Sequence, residues 1–426
     1  MIRVIKGSDF FKVDFEVERK KWEYKVEEEL KNIMQEVLMY GDNALISLTK
    51  KFDNIDLSEK GFIYSLENIK ADTLSIEDEV KYSINVMIKR VSEFHERERI
   101  NSWFFTNDKN SLLGQIIKPV EKVLIYVPGG RAVYPSTIIM TTIPALIAGV
   151  KEIYITTPPQ QTYNELFLYT LKVLNFSKFY TLGGAQAIFA FSYGTESIPR
   201  VDMIVGPGNI YVALAKKMVF GEVGIDGING PSEIAILIDK EKEIDIKKVV
   251  CDFLAQIEHS PYDRGWIITE NEEIVDDIVK EINIEIEKAM RSAILKESMK
   301  NSFIILVEDK KNAIEIINHI APEHLEILSN NYMEYIPHIN NAGAIFINHS
   351  SIFGDFIAGP SHVLPTGRRA IFSSGLSVNT FIKRISFVNL SDEDIREISK
   401  YGSIIAREEG FFMHEKSLKN YFGGKS

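Results

Sequence analysis

One cysteine in 426 residues, Cys251, leaves the chain without any possible internal disulfide, which excludes a disulfide-stapled secreted fold. Long apolar runs are also missing. The longest, residues 137–150, is broken by Pro144 and falls short of the roughly 20 residues that a helix needs to cross a bilayer. Residues 1–21 are charged and hold no apolar core of about 7–15 residues, so no signal peptide is expected. Positive charge is in deficit, with 49 Lys and Arg against 60 Asp and Glu and a net charge of -11. The cations are scattered, and pairs such as Lys50-Lys51 and Lys216-Lys217 read as solvated faces. Without a basic face, no nucleic-acid partner is expected. Low-complexity segments and repeats of about 20–50 residues are absent. A cytoplasmic protein with no membrane partner is the economical expectation.

What is present is a globular composition, 45% hydrophobic and 11% aromatic, too apolar for a disordered chain. The length implies at least two domains. Val26, Leu30, Ile33 and Val37, and then Val80, Ile84, Met87 and Val91, follow three- and four-residue spacing and predict two amphipathic helices. His95, between charged neighbours, reads as a surface histidine. From Lys122 onward the pattern becomes strand, glycine turn, helix. Strands are expected at 123–127, 153–156, 179–182 and 201–205, with helices over 137–149, from Ala185 and from Asn209. The pattern resumes after Pro231, with strands at 234–238, 266–269, 303–307 and 344–347 and helices at 244–258, 272–292 and 311–320. This predicts an α/β fold with two incomplete Rossmann-like parallel-sheet units, flanked by helical N-terminal and C-terminal segments. The expected division is 1–115, 116–233, 234–385 and 386–426, with helix from Asp392.

Ligands of open parallel sheets sit beyond the carboxyl ends of the strands. The turns Gly129-Gly130, Gly183-Gly184 and Gly206-Pro207-Gly208 fall there, each before a helix. Glycine admits close approach of a phosphate to a helix N-terminus; equally, a tight turn alone can require it. The G-x-G-x-x-G fingerprint is absent, because Tyr211 stands at its last position. Seven of the eight histidines lie at or beyond His259. Gln256 and His259, three apart at a predicted helix end, project from one face. Asp355 and His362 share a glycine-bounded loop, and Glu409 precedes His414 in the tail. Imidazole nitrogens with carboxylate and amide oxygens suit zinc or a similar divalent ion. Singly, each of these residues reads as a loop polar group; as a set they favour a metal. Glu323-His324 reads either as a general acid–base pair or as an exposed turn after Pro322. Cys251, between Val250 and Phe253, reads as a buried thiol more than as a nucleophile.

Taken in order, Tyr126-Val-Pro-Gly-Gly130, Gly183-Gly-Ala-Gln-Ala187, Gly206-Pro-Gly-Asn209, Gly230-Pro-Ser-Glu233, residues 256–259, Ala321-Pro-Glu-His-Leu325 and residues 359–365 resemble the histidinol dehydrogenase family. The likeness runs over residues 26–414. It implies a zinc-dependent enzyme that oxidises L-histidinol to L-histidine through the aldehyde with two NAD. The same resemblance implies metal ligands Gln256, His259, Asp355 and His414, and NAD contacts Tyr126, Gln186 and Asn209 in the first α/β unit. Substrate contacts would be Ser232, His324 and Glu409 alongside the ligands, and Glu323 and His324 would be the acid–base pair. It also implies a homodimer with swapped C-terminal segments and shared sites. Ile257, Ser260, Gly227-Ile228-Asn229 and residues 349–353 depart from the family pattern, which bears on substrate positioning near Ser232. The alternatives are a relative that oxidises another polar alcohol on this scaffold and a catalytically silent zinc-binding protein.

Overall fold

In a computed structural model, residues 2–12, 17–129 and 134–422 are described; Gly130 of the first glycine turn lies outside them. The chain divides into two compact units, Met1–Glu98 with Glu121–Thr380, and Arg99–Val120 with Phe381–Ser426.

The larger unit holds two six-stranded sheets. One runs Ile63–Ser65, Lys178–Thr181, Glu152–Thr157, Lys122–Tyr126, Met203–Val205, Gly224–Ile225. It is parallel except for its first strand. The other runs Arg3–Lys6, Phe303–Leu306, Arg264–Thr269, Glu233–Ile238, His324–Leu328, Ala344–Ile347, parallel throughout. Period-two alternation divides the second sheet's apolar residues between two cores. Ile234, Ile236 and Ile238 join one with Ile267 and Ile304, while Ala235 and Leu237 join the other with Ile268 and Ile305. Burial on both faces is why these strands read as unbroken apolar runs.

The expected strands and helices from Lys122 onward lie within a few residues of those observed. Four strands of these sheets are not among those expected: Arg3–Lys6, which joins a sheet formed otherwise by the second half of the chain, Ile63–Ser65, Gly224–Ile225 and His324–Leu328. The first long helix, Val17–Asp53, is interrupted at Gly41, whose φ is 51°. A Cβ there would come within 2.3 Å of Glu196 Oε2, and the neighbouring Asp42 N–H donates to that same oxygen at 2.9 Å.

Three residues depart from the sequence reading. His95 is buried, not superficial: helical spacing puts it on the face of Ile84, Met87 and Val91, and its Nδ1 meets Glu98 Oε2 at 2.7 Å. Lys216 is buried, not solvated, on the Val212 and Val219 face of its helix, where Asp226 neutralises it. Cys251 is exposed, not buried, because the core face of helix Ile246–Gln256 is set by Val249, Val250, Phe253 and Leu254. Desolvation and the nearby acids Glu285 and Asp252 push its thiol up, which does not make a nucleophile.

The smaller unit carries a three-stranded antiparallel sheet, Ile382–Asn389, Leu112–Pro119 and Trp103–Thr106, which the sequence reading missed. The C-terminal segment expected from residue 386 begins inside its last strand, and helices Asp392–Glu408 and Phe412–Phe422 follow. Ser391 caps the first of them. Asp394 in its first turn accepts from Ser111 Oγ at 2.6 Å and Asn107 Nδ2 at 2.7 Å, which holds its carboxyl below the usual range. Among the described residues, no helix is long and apolar enough to cross a membrane.

Candidate active site

Glu233 and His324 open adjacent strands of the second sheet, so the residues around them gather at the amino ends of the strands. Glu323, far from being an exposed turn, is buried, as is His324. The Glu233 N–H donates to Glu323 Oε2 at 3.0 Å. His324 Nδ1 lies 3.2 Å from the Glu233 carbonyl oxygen, and its Nε2 lies 3.2 Å from Asp355 Oδ1. Both ring nitrogens therefore face acceptors, which suits the charged imidazole. Burial pulls His324 down, but Glu323 and Asp355 outweigh it and leave the group raised. Glu323 is raised mainly by its burial. Burial also acts to raise Asp355, yet its contacts with His324 and Gln256 leave it lowered.

Gln256, the last residue of helix Ile246–Gln256, donates from Nε2 to Asp355 Oδ2 at 2.6 Å and to Ser351 Oγ at 3.2 Å. His362 Nδ1 meets the Asp355 carbonyl oxygen at 2.9 Å, and its Nε2 lies 3.2 Å from Thr137 Oγ1. The structure thus brings Glu323, His324, Gln256 and Asp355 into one cluster. His259 lies past the helix end, after Ile257 at the C-cap, and is exposed. The shared helix face expected for Gln256 and His259 is therefore not formed. His259 exerts its charge on Asp263 and His362. Ser232 stands beside the cluster, its N–H donating to Asp263 Oδ1 at 3.0 Å. Asp263 also accepts from Ser260 N at 2.6 Å, so the atypical Ser260 ties down the turn that holds Ser232. Glu409 and His414 belong to the smaller unit, where both are exposed; Glu409 ends helix Asp392–Glu408, and His414 packs 5.2 Å from the Phe411 ring.

Among the described residues, no three His, Cys, Asp or Glu side chains form a metal-holding group. The chemistry of the donors at the cluster nonetheless suits a divalent ion. The Gln256 amide is held through its NH₂ and accepts no hydrogen bond at its oxygen among the described residues. That oxygen and the ionised Asp355 carboxylate are hard donors of the kind such an ion takes.

The sequence reading missed Asp263 and Glu326. Glu326, two residues along the strand from His324, is fully buried and accepts from Ser351 N at 2.6 Å. Burial pushes it up to about 7. Its signal was the period-two repeat itself, an acid on the same strand face as His324.

At the first sheet the gathering is at the carboxyl ends. Tyr126 closes its strand and its hydroxyl accepts from Gly184 N at 3.0 Å, where helix Gly184–Tyr193 begins. Gln186 is buried in that helix's first turn. A Cβ on Gly129 or Gly183 would come within 2.6 or 2.4 Å of Pro158, so the turns after three strands close on one another. Gly206 has φ +108°, and a Cβ there would lie 2.3 Å from the Tyr126 carbonyl oxygen. Asp226 Oδ2 accepts from Gly206 N at 2.7 Å, and Lys216 Nζ donates to Gly206 O at 2.9 Å and to Asp226 Oδ1. Asn209 caps helix Ile210–Val219 by accepting from Val212 N at 3.1 Å. Helix N-termini gathered beside close-packed turns suit the phosphates of a nucleotide. The atypical Gly227-Ile228-Asn229 lines a cavity of about 270 Å³ with Pro365 and Phe372.

Known proteins match the chain over nearly its whole length. A family model described as "Histidinol dehydrogenase" matches residues 17–421. The histidinol dehydrogenase of Methanococcus maripaludis is 43% identical over 392 residues, 91% of this chain and 91% of that protein. That of Aquifex aeolicus is 40% identical over 400 residues, 93% of this chain and 92% of its own. The crystal structure of histidinol dehydrogenase from Elizabethkingia anophelis matches with a TM-score of 0.87 at 30% identity, covering 93% of this chain and 92% of that one.

Proposed function

Because this chain belongs to the histidinol dehydrogenase family, we propose that it oxidises L-histidinol to L-histidine through the aldehyde, with zinc in the site and two NAD consumed. The observation that carries this reading is the buried cluster of Glu323, His324, Gln256 and Asp355. It joins an acid–base pair to two oxygen donors in one place.

Gln256, His259 and Asp355 would hold zinc, with His414 of a second copy in a homodimer that shares its sites. Bound there, zinc supplies a template that orients the amine and imidazole of the substrate. NAD, held by Tyr126, Gln186 and Asn209, supplies the hydride acceptor in both half-reactions. Ser232, and Glu409 of the second copy, would position the substrate with the ligand residues and His324. With Asp355 engaged by zinc its hold on the second ring proton would be relieved, so for the first half-reaction His324 would enter uncharged, its Nδ1–H bonded to the Glu233 carbonyl. Its Nε2 takes the hydroxyl proton as hydride leaves the carbinol carbon, giving the aldehyde. For the second, Glu323 takes a proton from water, which adds to the aldehyde carbon; the hydrate then loses hydride and becomes the acid. Burial that raises Glu323 suits this role, since a carboxylate of ordinary basicity is a poor base at neutral pH. No thiol takes part, in keeping with Cys251 on the outer face of its helix. We place the enzyme in the cytoplasm.

The test is NADH production by zinc-loaded protein supplied with L-histidinol, with histidine quantified in parallel. Two NADH per histidine are expected. No NADH from folded, zinc-loaded protein overturns the proposal.

A further inference from the structure

The cofactor reading above leaves one requirement without a residue. In dinucleotide-binding α/β folds, an acid near the end of the second strand takes the ribose hydroxyl. Here the strand beside Lys122–Tyr126 is Glu152–Thr157, and the residues that follow are Pro158-Pro159-Gln160-Gln161-Thr162-Tyr163-Asn164. None is acidic. The next acid, Glu165, is taken up by the Ser75 N–H.

An acid on another element acts electrostatically on this place. Asp53 is the last residue of helix Val17–Asp53. Its charge acts on the hydroxyls of Tyr126, at the end of the first strand, and of Tyr163, in the loop after the second. Asp53 Oδ2 is buried and has no hydrogen-bond partner among the described residues. Thr49, one helical turn earlier on the same face, is wholly buried, and its Oγ1 is likewise without a partner. Burial alone pushes Asp53 up to about 6, so it is ionised at neutral pH. The fold gives this carboxylate little reason to be there. A negative charge at a helix C-terminus opposes the helix dipole, and a buried polar atom left unpaired is costly.

We infer that Asp53, with Thr49 behind it, takes the ribose hydroxyls of the bound dinucleotide and sets the preference for NAD over NADP; this rests on the cofactor reading above. A vicinal diol offers two O–H donors to an acceptor carboxylate, and the partly buried Asp53 is the side chain of the two that a ligand can reach. The close packing of Gly129 and Gly183 on Pro158, and the Gly184 N–H on the Tyr126 hydroxyl, bring the first turn of helix Gly184–Tyr193 beside the tyrosine on which the Asp53 charge acts. A phosphate esterified to the ribose would meet a buried anion and be refused.

Calorimetric titration of the zinc-loaded enzyme, Asp53→Ala and Asp53→Asn with NAD and with NADP, without histidinol, tests this. Wild type is expected to bind NAD and to bind NADP far more weakly. Both variants should lose about 10- to 100-fold in NAD affinity, the size of a hydrogen bond to a charged group, and bring the NAD-to-NADP ratio near one. Asp53→Asn keeps the side-chain shape, so it carries the test alone if the alanine variant does not fold. Variants that retain the wild-type ratio overturn the role of Asp53 and leave the cofactor reading standing. Wild type that binds neither dinucleotide overturns the cofactor reading and this inference together.

Discussion

The two parallel sheets of the larger unit use opposite rims. The first gathers its residues at the carboxyl ends of Lys122–Tyr126, Lys178–Thr181 and Met203–Val205, where helices start. The second gathers Glu233, His324 and Gln256 at the amino ends of its strands, where helix Ile246–Gln256 stops. A helix start presents unpaired N–H groups and partial positive charge, and a helix end presents carbonyls and partial negative charge. The first rim thus suits phosphates and builds itself from backbone, glycine and one buried ion pair. The second suits cations, such as a charged imidazole or a divalent ion, and is built almost wholly from side chains. One architecture offers two poles, and the direction of each helix decides which chemistry each rim can host.

If the rims are separable, damage to one should spare the other. The largest effect is expected for His324→Asn, which should lower turnover by about 10²–10⁴ while NAD affinity, measured by calorimetry, stays at the wild-type value. Equal losses in both would break the separation. The next concerns the frame of the first rim. Lys216→Met leaves Asp226 buried without its cation, and breaking such a pair costs about 3–5 kcal/mol, to be read as a lowered denaturant midpoint. A midpoint within error of wild type would mean that the pair does not hold the Gly206 turn.

The smallest effect serves as a control in the other unit. Ser111 and Asn107 hold Asp394 below its ordinary value of 3.8, so its ionised form stabilises the fold above that pH, and the contribution is lost as pH falls through the lowered value. The stability gap between wild type and Asp394→Asn should be widest near neutral pH and close in acid, with activity unchanged at neutral pH. A gap that widens in acid would reverse the assignment.

How far the sequence reveals these features depends on the range of the interactions. Strand, turn and helix from Lys122 onward are local patterns, and the apolar runs of Glu233–Ile238 or Phe303–Leu306 announce burial by themselves. The pairing of Glu323 and His324 was visible because they are neighbours, Gln256 because a family motif marks it, and Asp355 because it stands in a glycine-bounded loop with His362. What stayed hidden is settled at a distance. His95 looks superficial beside Glu96 and Arg97 until its spacing from Val91 is weighed, and Lys216 looks solvated until Asp226 is found opposite. Asp263 binds the nearby Ser260 and also Ser232, and the contact with Ser232 does not follow from its own neighbours. The three-stranded sheet pairs Leu112–Pro119 with Ile382–Asn389, and no local pattern could register strands so far apart in the chain.

The strand Arg3–Lys6, parallel to Phe303–Leu306, also sets a schedule for synthesis. At about 5–20 residues per second, the ribosome emits the first of these strands roughly 15–60 s before the second. Throughout that interval the nascent N-terminus has no native neighbour, and its backbone donors and acceptors remain open to any other strand edge. This pairing cannot form until Phe303–Leu306 has been translated, so the early strand spends the whole interval with its margin unsealed.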